Sequence, residues 1–225
     1  MKADNIILQH FNGKLRPLDI ASMENIKDYA ARIGADYELI TGRPFREHLT
    51  DPCQKVFMID EKWDVYDNVL MLDIDMFVPK GLVVKDVFDA RGCGLYNPIQ
   101  QRLHQRLAEW KIGNVTVPYW GGAIYKFNRE RRMSLRKGLG GDEMWMDAFN
   151  RPYHYEDEGI IHTLAMKAGM KFTRDDIMDP RWCYDNYLPD PASAFMIHMR
   201  TKIAPEGPKR EKYENYMGLV KQGIL

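Results

Sequence analysis

Val69-Leu70-Met71-Leu72-Asp73-Ile74-Asp75 is the stretch on which the fold turns. A continuous apolar run of this length suits a strand buried on both faces, as in a parallel sheet. Two carboxylates at i and i+2 then project to one side of its carboxyl end, which is where open α/β sheets hold ligands. Two like charges this close repel and are costly to desolvate, and a divalent cation with oxygen ligands neutralises them. The structural alternative is a pair of turn aspartates facing water. The rest of the chain decides between the two.

Upstream, Ile6-Ile7-Leu8 reads as a first strand. Residues 19–33 then carry Ile20, Met23, Ile26, Ala30 and Ile33 at helical spacing, with Gly34 as the stop. Tyr37-Glu38-Leu39-Ile40 is a second strand, Gly42-Arg43-Pro44 opens an irregular segment, and residues 54–63 are expected to be helical. Downstream of a turn at Pro79-Lys80-Gly81, Cys93-Gly94-Leu95-Tyr96 reads as a strand and residues 99–110 as an amphipathic helix. Residues 119–125 read as a strand containing the pair Gly121-Gly122, where a backbone can approach something closely.

Asn128 is placed to cap a helix bearing Arg129, Arg131, Arg132, Arg136 and Lys137, a charge pattern that predicts a solvated face. Glu156-Asp157-Glu158 forms the first turn of a helix ended by Gly169, where acids suit the dipole without any catalytic duty. Phe195-Met196-Ile197-His198-Met199 is a late apolar strand with one histidine near its exit. The tail from Pro205 onward reads as a linker and a short amphipathic piece. Alternating strands and helices predict a single α/β domain with a mixed, mostly parallel central sheet flanked by helices.

Composition narrows the function. With 225 residues the chain suits one sizeable core. Lys+Arg and Asp+Glu both number 32, so no cationic surface of the kind nucleic acids need is expected. No apolar stretch approaches the roughly 20 residues of a membrane span, and the N-terminus lacks the pattern of a secretory signal. Cys53, Cys93 and Cys183 show no C-x-x-C spacing, so free thiols in a soluble cytoplasmic protein are the expectation.

The run from Asp67 to Val78, with apolar residues leading into Asp-x-Asp, resembles the metal motif of the GT-A glycosyltransferases. Other landmarks follow in the order of that family. Lys55 resembles the basic position near the donor nucleotide, and Trp120-Gly121-Gly122-Ala123 resembles the glycine-containing strand beside the donor sugar. Glu156-Asp157-Glu158 is similar to the acidic helix start of the same active site, and Ile197-His198-Met199 to the late histidine that completes the metal shell in a subset of these enzymes. The resemblance spans roughly residues 6–202 and is strongest to the small glycosyltransferase domains of large algal viruses (chloroviruses), which would place the chain in the host cytoplasm in viral glycan synthesis.

It implies a GT-A domain over 1–204, with a nucleotide-binding part at about 1–80 and an acceptor part at about 81–204. Residues 205–225 would be a linker and short helix, with room for additional domains of the same polypeptide. It also implies a UDP-sugar donor, a glycan or protein-linked glycan acceptor, and a manganese or magnesium ion held by Asp73, Asp75 and His198. The late motif departs from the glycogenin-like pattern after His198, and Arg200 and Lys202 are the nearby candidates for a diphosphate contact.

The residues support this chemistry. Two carboxylates and one imidazole suit manganese well and magnesium adequately, and a cation there would stabilise a diphosphate leaving group. Gln9, His10 and Phe11 at the end of the first strand offer hydrogen bonds and a ring face to a uracil, with Ile74 between the paired aspartates. Asp157 and Glu158 are the candidate catalytic carboxylates, with Asp142 and Glu143 behind them; both stereochemistries stay open. One other reading is a haloacid-dehalogenase-like phosphatase using Asp73 and Asp75, with Gly141-Asp142 and Asp147 as its later motif, although the aspartate pair of such enzymes belongs after the first strand and Phe77 stands where they usually place Thr or Val. Another is a sugar-nucleotide-binding domain without turnover.

Overall fold

The computed structural model describes residues 3–81, 84–96, 120–140, 156–170, 174–202 and 209–225. The helix expected at 99–110, and the secondary candidates Asp142, Glu143 and Asp147, lie outside these residues.

The central sheet is built around two apolar runs. β1 (Asn5–Phe11) lies between β2 (Asp36–Thr41) and β3 (Asn68–Leu72), parallel to both. β6 (Trp120–Asn128) pairs antiparallel with β3, and β5 (Gly94–Tyr96) antiparallel with β6. The order is β2-β1-β3-β6-β5, and β6 alone runs against the other four. This is the mixed, mostly parallel sheet that the sequence predicts.

Alternation along the strands explains why both faces are apolar. Ile6, Leu8, Val69 and Met71 pack with Trp63, Ile160, Ile161 and Leu164 on one face, while Ile7, Leu70 and Leu72 pack with Ile26, Tyr29, Met178 and Trp182 on the other. Val69, Leu70, Met71 and Leu72 are each 0% exposed, so each contributes about 1.5–3 kcal/mol. α1 (Pro17–Arg32) connects β1 to β2 and ends where Gly34 takes φ +72°, a left-handed turn that other residues adopt only at a cost.

A second, smaller sheet of order β4-β8-β7 sits beyond the carboxyl end of β3. It joins β4 (Met76–Phe77), β8 (Ile197–His198) and β7 (Tyr184–Asp185), with β4 antiparallel and β7 parallel to β8. No helix among the described residues is long and apolar enough to cross a membrane.

Four local features differ from the sequence reading. Residues expected to form one helix at 54–63 form two 3-10 helices, Asp51–Ile59 and Glu61–Val65. The break falls at Asp60, which is extended and accepts from Lys62 N at 3.0 Å, while the Gln54 side chain binds Phe45 N and Leu49 O. The paired aspartates lie in a turn between β3 and β4 rather than on the strand, closed by Met76 N donating to Asp73 O at 3.3 Å.

The arginine-rich helix α2 (Arg129–Lys137) is capped by Asn128 as expected, but it is not a solvated face throughout. Arg132 is fully buried and donates to the backbone carbonyls of Trp63, Tyr66 and Phe127, because the irregular chain before β3 leaves carbonyls with no ladder partner. Finally, the C-terminal stretch packs down: α4 (Lys212–Lys221) places Leu219 in a cluster with Leu18, Phe77, Ile197 and Met199.

Candidate active site

The aspartate turn is held on three sides. Asp73 N donates to Ala123 O of β6 at 3.0 Å, Met199 N donates to Asp75 O at 3.0 Å, and Gln9 Nε2 donates to Asp73 O at 3.0 Å. The two side chains then meet His198, which β8 presents opposite Met76. His198 Nε2 lies 3.2 Å from Asp75 Oδ1 and 3.6 Å from Asp73 Oδ2, and its Nδ1 lies 3.6 Å from Cys183 Sγ. One potential ligand atom from each of the three lies within 4.8 Å of the others.

These residues fit a divalent cation. The donor set is two carboxylates and one imidazole, converging on a cleft from backbone that is fixed independently of them. Burial lowers the His198 imidazole, but the carboxylate of Asp75 outweighs it and the ring is held up at about 10. Burial pushes Asp75 up, while His198 and Lys212 together pull it well below the ordinary carboxylate range.

A second group of charges lies deeper. Lys55, from the first 3-10 helix, places Nζ 2.7 Å from Asp73 Oδ1, 2.9 Å from Asp157 Oδ2 and 2.7 Å from Gly122 O. Burial opposes its charge, but Asp157 and Asp73 outweigh burial and hold it protonated. Asp157 and Glu158 come from the start of α3 (Glu156–Lys167), where the helix runs into the back of β6. Gly122 N donates to Glu158 Oε1 at 2.6 Å and Tyr125 OH to Asp157 Oδ2 at 3.2 Å.

A Cβ on Gly122 would stand 2.5 Å from Asp157 Oδ2, which explains the glycine without appeal to a bound ligand. Burial, reinforced by the neighbouring Asp157, lifts Glu158 to about 8, so it carries a proton at neutral pH. Burial also raises Asp157, against the pull of Lys55.

Both groups open onto one cleft of about 920 Å³, lined also by His10, Phe11, Ile74, Gly121, Gly122 and Ala123. Its mouth carries Arg16, Arg200, Lys202, Lys209 and Lys212. Arg200 Nε bonds Asp185 Oδ1 at 2.9 Å, and Lys202 and Lys209 face each other across an isolated antiparallel bridge.

Two expected contacts are not on the cleft wall. Gln9 is 0% exposed, with its amide spent on Ser22 Oγ, Asp73 O and Tyr37 OH, because the side chains of a two-sided strand alternate and this one points inward. Trp120 packs on Phe127, and its indole donates to Asp176 O. Lys55 reaches the cleft but spends its ammonium inside the protein. His10 is on the wall, with Nε2 2.7 Å from Gly42 O, and burial lowers its pKa.

Sequence reasoning missed Lys209 and Lys212, whose only signal was a run of basic residues in the tail, and Cys183, which backs His198. Ser22 was also missed; its hydroxyl accepts from Gln9 and donates to Met76 O at 2.7 Å. No pattern on a helix identifies such a residue.

No protein-family model and no curated protein matches this sequence. Among solved structures the chain is similar to a glycosyltransferase involved in the glycosylation of the major capsid of PBCV-1. The TM-score is 0.56 at 13% identity, covering 96% of this chain and 98% of that one. It is also similar to the galactosyltransferase LgtC solved with donor and acceptor sugar analogues, at TM-score 0.52 and 17% identity, covering 96% and 95%. Such identities carry the fold, and the fold is the GT-A architecture that the resemblance implied. The phosphatase reading needs its aspartates after the first strand, whereas here they follow β3.

Proposed function

We propose that this protein is a divalent-metal-dependent glycosyltransferase that moves a sugar from a UDP-sugar to a glycan or protein-linked glycan acceptor. The observation that carries the reading is the convergence of Asp73, Asp75 and His198 on a cleft that also holds two buried acids and a cationic mouth. The three residues would hold manganese or magnesium, which when bound supplies charge neutralisation to the departing diphosphate.

The chain's own residues supply the rest. Arg200, Lys202 and Lys209 bring positive charge to the cleft mouth, where a diphosphate is attracted. Asp157, aligned by Lys55 and Tyr125, is the carboxylate beside the sugar, acting as base or as stabiliser of developing positive charge. Glu158, protonated at neutral pH, holds the Gly122 peptide instead. His10 and Phe11 receive the base at the far end of the cleft.

The test is calorimetry with UDP in manganese and in chelator, for the wild type and Asp75→Ala. Metal-dependent binding in the wild type and none in the variant supports the reading. Equal affinity in manganese and chelator overturns it. Nucleotide release from a UDP-sugar, assayed with acceptor glycans, separates a transferase from a domain that only binds. Asp157→Asn is expected to lower turnover about 10²-fold or more with UDP affinity unchanged.

A further inference from the structure

The cation site already faces a cation of the protein's own. Lys212 Nζ pairs with Asp75 Oδ2, while Asp75 Oδ1 faces His198. On the other aspartate, Lys55 occupies Asp73 Oδ1. The two lysines are unequal. The Lys55 side chain is 9% exposed and is bound to three oxygens, whereas that of Lys212 is 34% exposed and stands at the cleft mouth.

Lys212 opens α4, and the body of that helix is fastened to the elements that carry the site. Tyr216 stacks on Phe77 of β4 at 5.0 Å, Leu219 packs with Ile197 of β8, and Asn215 Nδ2 donates to Arg200 O at 2.8 Å and Lys202 O at 3.2 Å. The helix is thus a fixed base, and the flexible lysine stem is the part able to move.

We infer that Lys212 is the resident counter-ion of the cation site: it neutralises Asp75 in the metal-free protein, competes with the incoming divalent cation, and on displacement turns to the anion that accompanies that cation. The inference rests on the metal-dependent reading above. A divalent cation that takes Asp75 leaves the ammonium beside a double positive charge and on the same cleft mouth as Lys202 and Lys209. Like charges set opposite one another are unfavourable. The displaced ammonium is stabilised when a diphosphate arrives, so cation and nucleotide each strengthen the other's binding by the same factor. The cation alone binds more weakly than its ligands allow, in proportion to how seldom Lys212 leaves Asp75 free.

The experiment measures free manganese by electron paramagnetic resonance in titrations of the full chain, without nucleotide and then with UDP. It compares the wild type with Lys212→Met, Lys212→Arg and Asp75→Ala, with thermal unfolding as the check on folding and Lys212→Gln as a second neutral variant. Lys212→Met should bind manganese about tenfold more tightly than the wild type in the absence of nucleotide. Its gain on adding UDP should shrink by a similar factor, and Lys212→Arg should stay near the wild type. Folded neutral variants that bind manganese with wild-type affinity, or more weakly, overturn the counter-ion role while leaving the metal site standing. A wild type that binds no manganese, with or without UDP, overturns the metal site itself and the inference with it.

Discussion

Asp73 and Asp75 stand two residues apart in one turn and are each answered by a lysine, yet the two ends of the cleft are built on different terms. At the deep end Lys55 is enclosed by Asp73, Asp157 and Gly122 O, with Tyr125 OH on Asp157 and the Gly122 peptide tied to the adjacent Glu158. At the mouth Lys212, Lys202 and Lys209 stand on a late segment with solvent beside them. Enclosed charges cannot be removed without stranding their partners, whereas solvated ones are replaceable. The deep end is therefore built to hold geometry, and the mouth is where ions would exchange on the proposal above.

The sharpest way to break this contrast is Lys55→Met. It strands the buried Asp157 carboxylate, the half-buried Asp73 and a carbonyl, and unfolding in denaturant should show a loss of about 3–5 kcal/mol. A loss below about 1 kcal/mol would mean that water reaches the deep end after all. Gly122→Ala tests the same region through sterics, since its Cβ meets Asp157 Oδ2 at 2.5 Å. It is expected to cost about 1–3 kcal/mol of stability, and to lower turnover by displacing Asp157.

Glu158 gives the deep end a signature in pH. The folded chain holds its proton more tightly than the unfolded chain between the ordinary value of 4.5 and about 8. Stability therefore falls as pH rises through that window, by at most about 1.4 kcal/mol per pH unit. Thermal melts of Glu158→Gln should lose this slope. The smallest effect belongs to the mouth: Lys212→Met should change stability by less than about 1 kcal/mol, because the lysine is partly exposed and Asp75 keeps His198 beside it. A larger loss would place the mouth in the same class as the deep end.

What could be read from the sequence followed the same division. The apolar runs that build β1 and β3, the glycine stop after α1, the glycine pair in β6 and the acidic start of α3 are local patterns, and local patterns determine where backbone goes. The gathering of Asp73, Asp75 and His198 followed from motif order. Side-chain partners did not follow. Gln9 sits one position from His10 and points the other way, Arg132 is buried in a helix whose composition reads as solvated, and Lys212 reaches Asp75 from the far end of the chain. Each depends on what another segment leaves unsatisfied, and no single window of sequence records that. The 3-10 helices before β3 were lost for a related reason, since the side chain of Gln54 competes with α-helical bonding through contacts that exist only in the folded loop.

The second sheet pairs Met76 with His198, and this pairing dates the active site within the life of each molecule. The five strands of the first sheet are all made once β6 has been made, and of the residues that follow, the segment at 176–178 adds an isolated bridge to the β5 edge. Closing Met76 onto His198 spans more than half of the chain and is a long, entropically costly loop. A nascent chain thus carries its paired aspartates for a time with neither His198 nor Lys212 in place, and the Asp73, Asp75 and His198 group forms only after the second sheet has closed.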